Sequence, residues 1–141
     1  MKQWEGLKLN AYRCPAGVLT IGYGHTGKDV VAGLKITRER AEELFESDIA
    51  KFERTLDKQV NADKVQTLTQ GQYDALLSFA YNVGMANLKS STLWRKVKAN
   101  PNDASIGNEF RRWVWATTSK GKVQLPGLIK RRAKEAEVYL T

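Results

Sequence analysis

The sequence has few of the residues that form cross-links and metal sites. Its 141 residues include one cysteine and one histidine. A single cysteine excludes a disulfide within the chain. A single histidine, His25, without a second histidine or a nearby cysteine, lacks the ligand spacing of a zinc site. We therefore expect no metal centre.

Long apolar runs and acidic residues are also scarce. The longest apolar runs, such as 75–77, are far shorter than the ~20 residues that span a bilayer. No apolar stretch follows the first lysine, so a signal peptide is not predicted, and this stretch of chain is expected to contain no membrane segment. Lys and Arg number 23 against 15 Asp and Glu, which gives a net charge of +8. Such a surface attracts polyanions, whether nucleic acid, anionic lipid or acidic wall polymers.

Hydrophobic residues make up 42% of the chain, enough for one domain with a core. Glycine and proline cluster in 11–36, where β-prone runs at 18–21 and 29–31 predict a small antiparallel sheet. Apolar spacing and capping residues predict helices around this sheet. The predicted helices are 1–10, one from Thr37 onward, one behind a Thr69–Gln72 capping box to Val83, 91–99, 103–116 and 127–140, with a loop at 117–125.

The predicted architecture is α+β and mostly helical, in one domain covering 1–141. A small lobe of about 10–60 carries the hairpin, and a helical lobe of about 61–141 includes the N-terminal helix 1–10.

The opening stretch carries candidate catalytic side chains. Glu5 on the first helix and Cys14 and Thr20 in the hairpin could converge on one small volume. Glycoside hydrolysis needs an acid to protonate the leaving oxygen and a second group to manage the nucleophile. Trp4 and Tyr12 could provide apolar walls that raise the pKa of Glu5. An ordinary surface glutamate is the alternative for Glu5, and an ordinary strand residue is the alternative for Thr20.

The spacing of these three residues, followed by Ile-Gly-Tyr-Gly-His-Thr at 21–26, resembles the active-site signature of phage-type lysozymes, glycoside hydrolase family 24. Two further segments resemble the same family, Phe-Ala-Tyr-Asn-Val-Gly at 79–84 and Leu-Pro-Gly-Leu-Ile-Lys-Arg-Arg-Ala-Lys-Glu at 125–135. The resemblance covers essentially the whole chain. It implies a lysozyme-like two-lobe fold.

The resemblance implies an enzyme that hydrolyses β-1,4 bonds between N-acetylmuramic acid and N-acetylglucosamine, without a cofactor. Glu5 takes the acid role, and the family is thought to invert the anomeric centre. Cys14 stands where the family usually has Asp, so a thiol and Thr20 would hold the attacking water. A free thiol is mostly protonated at neutral pH, but Arg13 could draw out the thiolate. A buried structural cysteine is the alternative.

Other residues are candidates for supporting roles. Tyr81 and Asn82 end the central helix and would stack on and hydrogen-bond to sugar rings, with core packing the alternative for Tyr81. Either Arg131 or Arg132 could orient Glu5, with a solvated basic face as the alternative. His25 is expected to be a structural residue paired with an acid such as Asp48.

The expected partner is the glycan strand of peptidoglycan, and the protein is expected to be a monomer that binds no nucleic acid. It would act on the cell wall in the host periplasm, exported or released at lysis. Glu5 lies barely one turn from Met1, where a frayed turn would hold it badly, so we expect the natural chain to begin earlier, with room for an N-terminal membrane segment.

Two rival functions stay open at this point. One is a peptidoglycan-binding protein whose catalysis is weakened by the cysteine. The other is a basic nucleic-acid-binding domain, suggested by tryptophans near arginines, although no recognised nucleic-acid motif is present. The residues behind the second rival are Trp94, Trp113, Trp115, Arg95, Arg111 and Arg112.

Overall fold

The computed structural model describes residues 6–14, 17–118 and 121–141. Met1–Glu5 and the predicted roles of Trp4 and Glu5 lie outside the described residues. The described chain is mostly helical with small antiparallel hairpins, which confirms the predicted fold class. In chain order the elements are β1 (Lys8–Arg13), β2 (Leu19–Gly22), α1 (Arg38–Ala62), α2 (Gln70–Val83), α3 (Met85–Ser90), α4 (Thr92–Ala99), α5 (Ile106–Arg111), β3 (Trp115–Thr118), β4 (Gly121–Gln124) and α6 (Pro126–Leu140).

These elements form two compact units. The first comprises Met1–Lys51 and Ala116–Val123, and the second comprises Phe52–Trp115 and Gln124–Thr141. Within the described residues, no helix is long and apolar enough to cross a membrane.

In the first unit, β1 pairs antiparallel with β2, with Tyr12 opposite Thr20 and an irregularity in the register before it. The predicted helix 1–10 is wrong for residues 6–10, since Gly6 and Leu7 are not helical and β1 begins at Lys8. The backbone of this stretch bonds instead to a distant segment: the N–H of Ala11 donates to the Leu34 carbonyl at 2.8 Å, and the N–H of Ile36 donates to the Leu9 carbonyl at 2.9 Å. Non-local pairing therefore overrides the local helical pattern.

The second predicted strand, 29–31, is also wrong. This segment is a turn followed by irregular chain, in which the N–H of Val30 donates to the Gly27 carbonyl at 3.1 Å. Val30 is nevertheless buried, so its β-branched side chain is part of the hydrophobic core although its backbone is not in a sheet.

Helix α1 begins as predicted behind Thr37, whose hydroxyl accepts from the backbone N–H of Arg40 at 3.1 Å. This bond satisfies one of the free donors at the start of the helix. Gly22 of β2 lies directly against α1, since a Cβ at that glycine would come within 3.4 Å of Ala41 Cβ. The ring of Tyr23 packs edge-on against Phe45 at a centroid distance of 5.5 Å. The hairpin is thus held on the first half of α1.

The second unit is organised around α2. Its predicted capping box is confirmed: Thr69 Oγ1 accepts from the N–H of Gln72 at 3.1 Å, and Gln72 Oε1 accepts from the N–H of Thr69 at 2.9 Å. Helix α2 packs against α6, and α6 packs against α5. The buried ring of Phe79 meets Phe110 and Trp113 edge-on, at centroid distances of 5.6 and 5.4 Å.

Three predictions for the chain after α2 need correction. Helix α3 was not predicted, because Gly84 is typical of a helix end. Gly84 does have a positive φ, but α3 begins directly after it. The predicted helix 103–116 is only α5, Ile106–Arg111. The predicted loop 117–125 contains β4. Trp115–Thr118 instead forms β3, which pairs with β4 because its aromatic and β-branched residues suit a strand. Helix α6 begins at Pro126, one residue before the predicted start at 127, with the proline in its first turn.

Candidate active site

Cys14 and Thr20 lie together at the closed end of the β1–β2 hairpin. The backbone N–H of Cys14 donates to the carbonyl oxygen of Val18 at 3.0 Å. The hydroxyl of Thr20 donates to the same oxygen at 2.9 Å. The two predicted residues are therefore tied to one acceptor, and their relative placement is set by the turn between them.

The two side chains differ in exposure and bonding. Thr20 is buried, with 4% of its surface exposed, and Cys14 is half-buried with a free thiol. Because the Thr20 hydroxyl gives its proton to Val18, its oxygen keeps lone pairs that can accept a hydrogen bond from a water molecule. Arg13 donates to the Gly17 carbonyl at 2.9 Å, so its guanidinium braces the turn backbone.

His25 is clamped between two carboxylates. Its Nδ1 lies 2.7 Å from Asp48 Oδ2 on α1, which confirms the predicted pairing, and its Nε2 lies 2.9 Å from Asp29 Oδ2, which was not predicted. Burial on its own lowers the pKa of His25, but the hydrogen bonds to Asp48 and Asp29 outweigh it and raise the pKa above 6.5. The bond from His25 lowers the pKa of Asp29. The histidine therefore fastens the chain after β2 to α1.

Tyr81 and Asn82 lie in the last turn of α2. The ring of Tyr81 is half-buried and packs against Phe52 at a centroid distance of 5.4 Å, so part of this side chain serves the core. Asn82 is exposed, and its Oδ1 accepts a hydrogen bond from Arg132 Nη2.

Arg131 and Arg132 are buried rather than on a solvated basic face. Both pair with Glu135, which is 0% exposed: Arg131 Nε lies 3.2 Å from one of its oxygens and Arg132 Nη1 lies 2.5 Å from the other. Ser78 also donates to Glu135. Burial raises the pKa of Glu135, against the opposing effect of Arg132, Ser78 and Arg131.

Sequence reasoning did not identify Glu135, although one signal was present. An acid three and four residues after two arginines on a helix lies on the same face as both. The predicted contact of either arginine with Glu5 lies outside the described residues. Cys14, Thr20 and His25 lie in the first unit, and Tyr81, Asn82, Arg131 and Arg132 lie in the second. Hydrogen bonds link Cys14 with Thr20 through the Val18 carbonyl and join Arg132 to Asn82.

Comparison with solved structures places this fold in a class. The muramidase domain of SpmX from Asticaccaulis excentricus matches with a TM-score of 0.82 and 32% identity, covering 99% of this chain and 91% of that one. The chain therefore has the lysozyme-like α+β fold.

The chain belongs to the phage lysozyme family, whose model matches residues 2–135. It is 43% identical over 143 residues to the endolysin of Bacillus phage B103, covering 100% of this chain and 51% of that protein. It is 40% identical over 139 residues to the endolysin of Acyrthosiphon pisum secondary endosymbiont phage 1, covering 99% of this chain and 91% of the relative. The chain thus spans about half of the first relative and nearly all of the second, and it carries the lysozyme domain of a glycoside hydrolase that acts on peptidoglycan.

Proposed function

We propose that this domain cleaves the β-1,4 bond between N-acetylmuramic acid and N-acetylglucosamine, as a member of glycoside hydrolase family 24 with cysteine in place of the usual aspartate. The observation that carries this proposal is the shared anchoring of Cys14 and Thr20 on the Val18 carbonyl. It ties the backbone of Cys14 and the hydroxyl of Thr20 to one oxygen, in a chain that belongs to the phage lysozyme family.

In the proposed reaction, Glu5 donates a proton to the glycosidic oxygen as the bond to the anomeric carbon breaks. A water molecule, held by Thr20 and Cys14, attacks that carbon from the opposite face and loses its proton to the thiolate of Cys14. The product has the inverted configuration, because a single displacement occurs. Thr20 can accept from the water, since its own proton is committed to Val18.

The supporting residues complete the proposal. Arg131 or Arg132 orients Glu5, and His25 fixes the chain that follows β2 on α1. Tyr81 offers a ring face to a sugar, and Asn82 offers an exposed amide. We propose that the domain works as a monomer with two lobes, at about 10–60 and 61–141.

The proposed biological role is lysis of the bacterial host. Phage endolysins act on the cell wall, and we place the action of this one in the periplasm, after export or release at lysis. The glycan strand is the partner. The net charge of +8 supports this assignment, because wall polymers carry phosphate and carboxylate groups that a basic protein attracts.

Analysis of the products tests the proposed function. Purified peptidoglycan is digested, the new reducing ends are reduced with borohydride, and the fragments are identified by mass spectrometry. The proposal predicts reduced N-acetylmuramic acid at the ends. Reduced N-acetylglucosamine would contradict the bond assignment, and wall binding without new reducing ends would identify a binding protein instead.

A further inference from the structure

Among the residues that the structure describes, the buried cluster beneath the end of α2 is hydrogen-bonded to one exposed side chain, that of Asn82. Glu135 accepts from Ser78, Arg131 and Arg132, so each of its oxygens is bonded to a donor. Arg132 uses one terminal nitrogen for Glu135 and the other for Asn82 Oδ1. The exposed amide is thus linked through one guanidinium to a carboxylate that no solvent reaches.

This linkage decides which way the amide of Asn82 faces. An arginine guanidinium has only donors, so the group that meets it must be the carbonyl oxygen of the amide. The two polar atoms of the planar amide point in different directions, which directs Nδ2 away from Arg132. No residue in the described part of the chain accepts a hydrogen bond from Nδ2. Asn82 therefore presents a donor at the protein surface.

We propose that Glu135 is a positioning residue: by holding Arg132 it fixes Asn82 as a hydrogen-bond donor toward the substrate, where it selects the carbonyl oxygen of a sugar acetamido group. This inference rests on the proposed function. A hydroxyl can turn to donate or accept, whereas a carbonyl can only accept, so a fixed donor favours a carbonyl. The acetamido group supplies that carbonyl on both sugars of the glycan.

Asn82→Asp separates this role from a structural one. The variant keeps an oxygen facing Arg132 and adds a charge pair, so it should fold with an unchanged or higher melting temperature. It loses the donor. We expect KM for N-acetylated glycan strands to rise about tenfold, the loss of one good hydrogen bond, with a smaller change in kcat. De-N-acetylated strands carry an ammonium group that the new carboxylate attracts, so the preference for acetylated strands should disappear or reverse.

Glu135→Gln and Glu135→Asp test the buried end of the linkage. Both should raise KM on acetylated strands and reduce the preference for them, because Arg132 is no longer held in place. Glu135→Asp keeps the charge and gives the result if Glu135→Gln does not fold. Glu109→Gln is the matched control: Glu109 is 5% exposed and pairs with Lys96 and Arg112, and no hydrogen bond in the described part of the chain joins it to Asn82. It should lose stability and keep the wild-type preference.

The outcomes distinguish the two proposals. If wild-type protein releases no reducing ends, the proposed function fails. If the wild type is active and Asn82→Asp keeps both KM and the preference for acetylated strands, the donor role is overturned. If the folded Glu135 variants behave like Glu109→Gln, Glu135 is structural and its positioning role is overturned.

Discussion

Cys14 is the residue at which we propose that this chain departs from the usual site of its family. Its backbone is fixed by the Val18 carbonyl, next to the anchored hydroxyl of Thr20. A thiolate that takes the proton of the attacking water should be hard to replace by a serine hydroxyl, which is a far weaker base. We expect Cys14→Ser to lower kcat by about tenfold or more while the melting temperature stays nearly unchanged.

Reducing-end release and thermal unfolding of the Cys14→Ser variant measure these two quantities. Val18→Ala is a suitable control, because the backbone carbonyl that anchors the site remains and the side chain is 49% exposed. Wild-type turnover by Cys14→Ser would remove the thiol from the mechanism.

The His25 clamp predicts a stability that depends on pH. The pKa of His25 is raised above 6.5 in the folded protein, so the folded state binds the proton more tightly than the unfolded state. The stabilisation that protonated His25 gains from its carboxylate partners is therefore fully present below the pKa of His25 in the unfolded state. It is lost as pH rises through the pKa of His25 in the folded state. Asp48→Asn should lower the free energy of unfolding by about 1–2 kcal/mol near pH 5.5 and by clearly less near pH 9.

Denaturant unfolding at the two pH values measures the effect of Asp48→Asn. Glu46→Gln makes the same charge change at an exposed position of α1 and should show little difference at either pH. An Asp48→Asn effect that is equal at both pH values would mean that the histidine is not charged in the clamp.

At the scale of elements, the contact between α2 and α6 depends on a glycine. A Cβ at Gly71 would lie 2.7 Å from the backbone oxygen of Val138, and backbone cannot yield as a flexible side chain can. Gly71→Ala should therefore destabilise the protein by about 1–3 kcal/mol, although alanine is the better helix former.

Gly127, near the start of α6, provides the comparison for Gly71. A Cβ there meets nothing within 4 Å. Gly127→Ala should be neutral or stabilise the protein by up to about 1 kcal/mol. Thermal unfolding of both variants tests the contact, and equal effects of the two substitutions would contradict it.

The elements also show what sequence reasoning can reach. The Thr69–Gln72 capping box and the Thr37 cap were predictable because both ends of each bond lie within four residues. Strand β1 was not predictable from local patterns, because the backbone of Leu9 and Ala11 bonds to residues 34–36, more than twenty positions away. The local spacing predicts a helix end and a loop at Trp115–Thr118, but the segment forms strand β3 because it pairs with β4.

The contacts of the candidate site also differ in how far the sequence can predict them. The predicted pairing of His25 with Asp48 is confirmed although it spans 23 residues, whereas the bond to Asp29, only four residues away, was not predicted. The bond from Arg132 to Asn82 spans 50 residues and depends on how α2 and α6 pack, which no local pattern specifies. The resemblance to a family supplied the roles of Glu5, Cys14 and Thr20, and spacing alone could not have done so.

At the scale of the whole molecule, charge should govern adsorption to the wall. The net charge of +8 attracts anionic wall polymers, and salt screens that attraction over about 10 Å at 0.1 M. Binding to complete cell walls should weaken steeply as salt rises from about 0.05 to 0.5 M. Binding to glycan strands stripped of anionic polymers should change little, and an equally steep loss there would contradict the charge argument.

In the proposed lysozyme reaction, one carboxylic acid, Glu5, protonates the leaving group. The most direct measurement compares the release of reducing ends from purified glycan strands by the wild type, Glu5→Gln and the charge-matched Glu46→Gln. We expect Glu5→Gln to lose at least about a hundredfold in kcat, as removal of a general acid does, and Glu46→Gln to keep full activity. A folded Glu5→Gln protein that turns over at the wild-type rate would contradict the account.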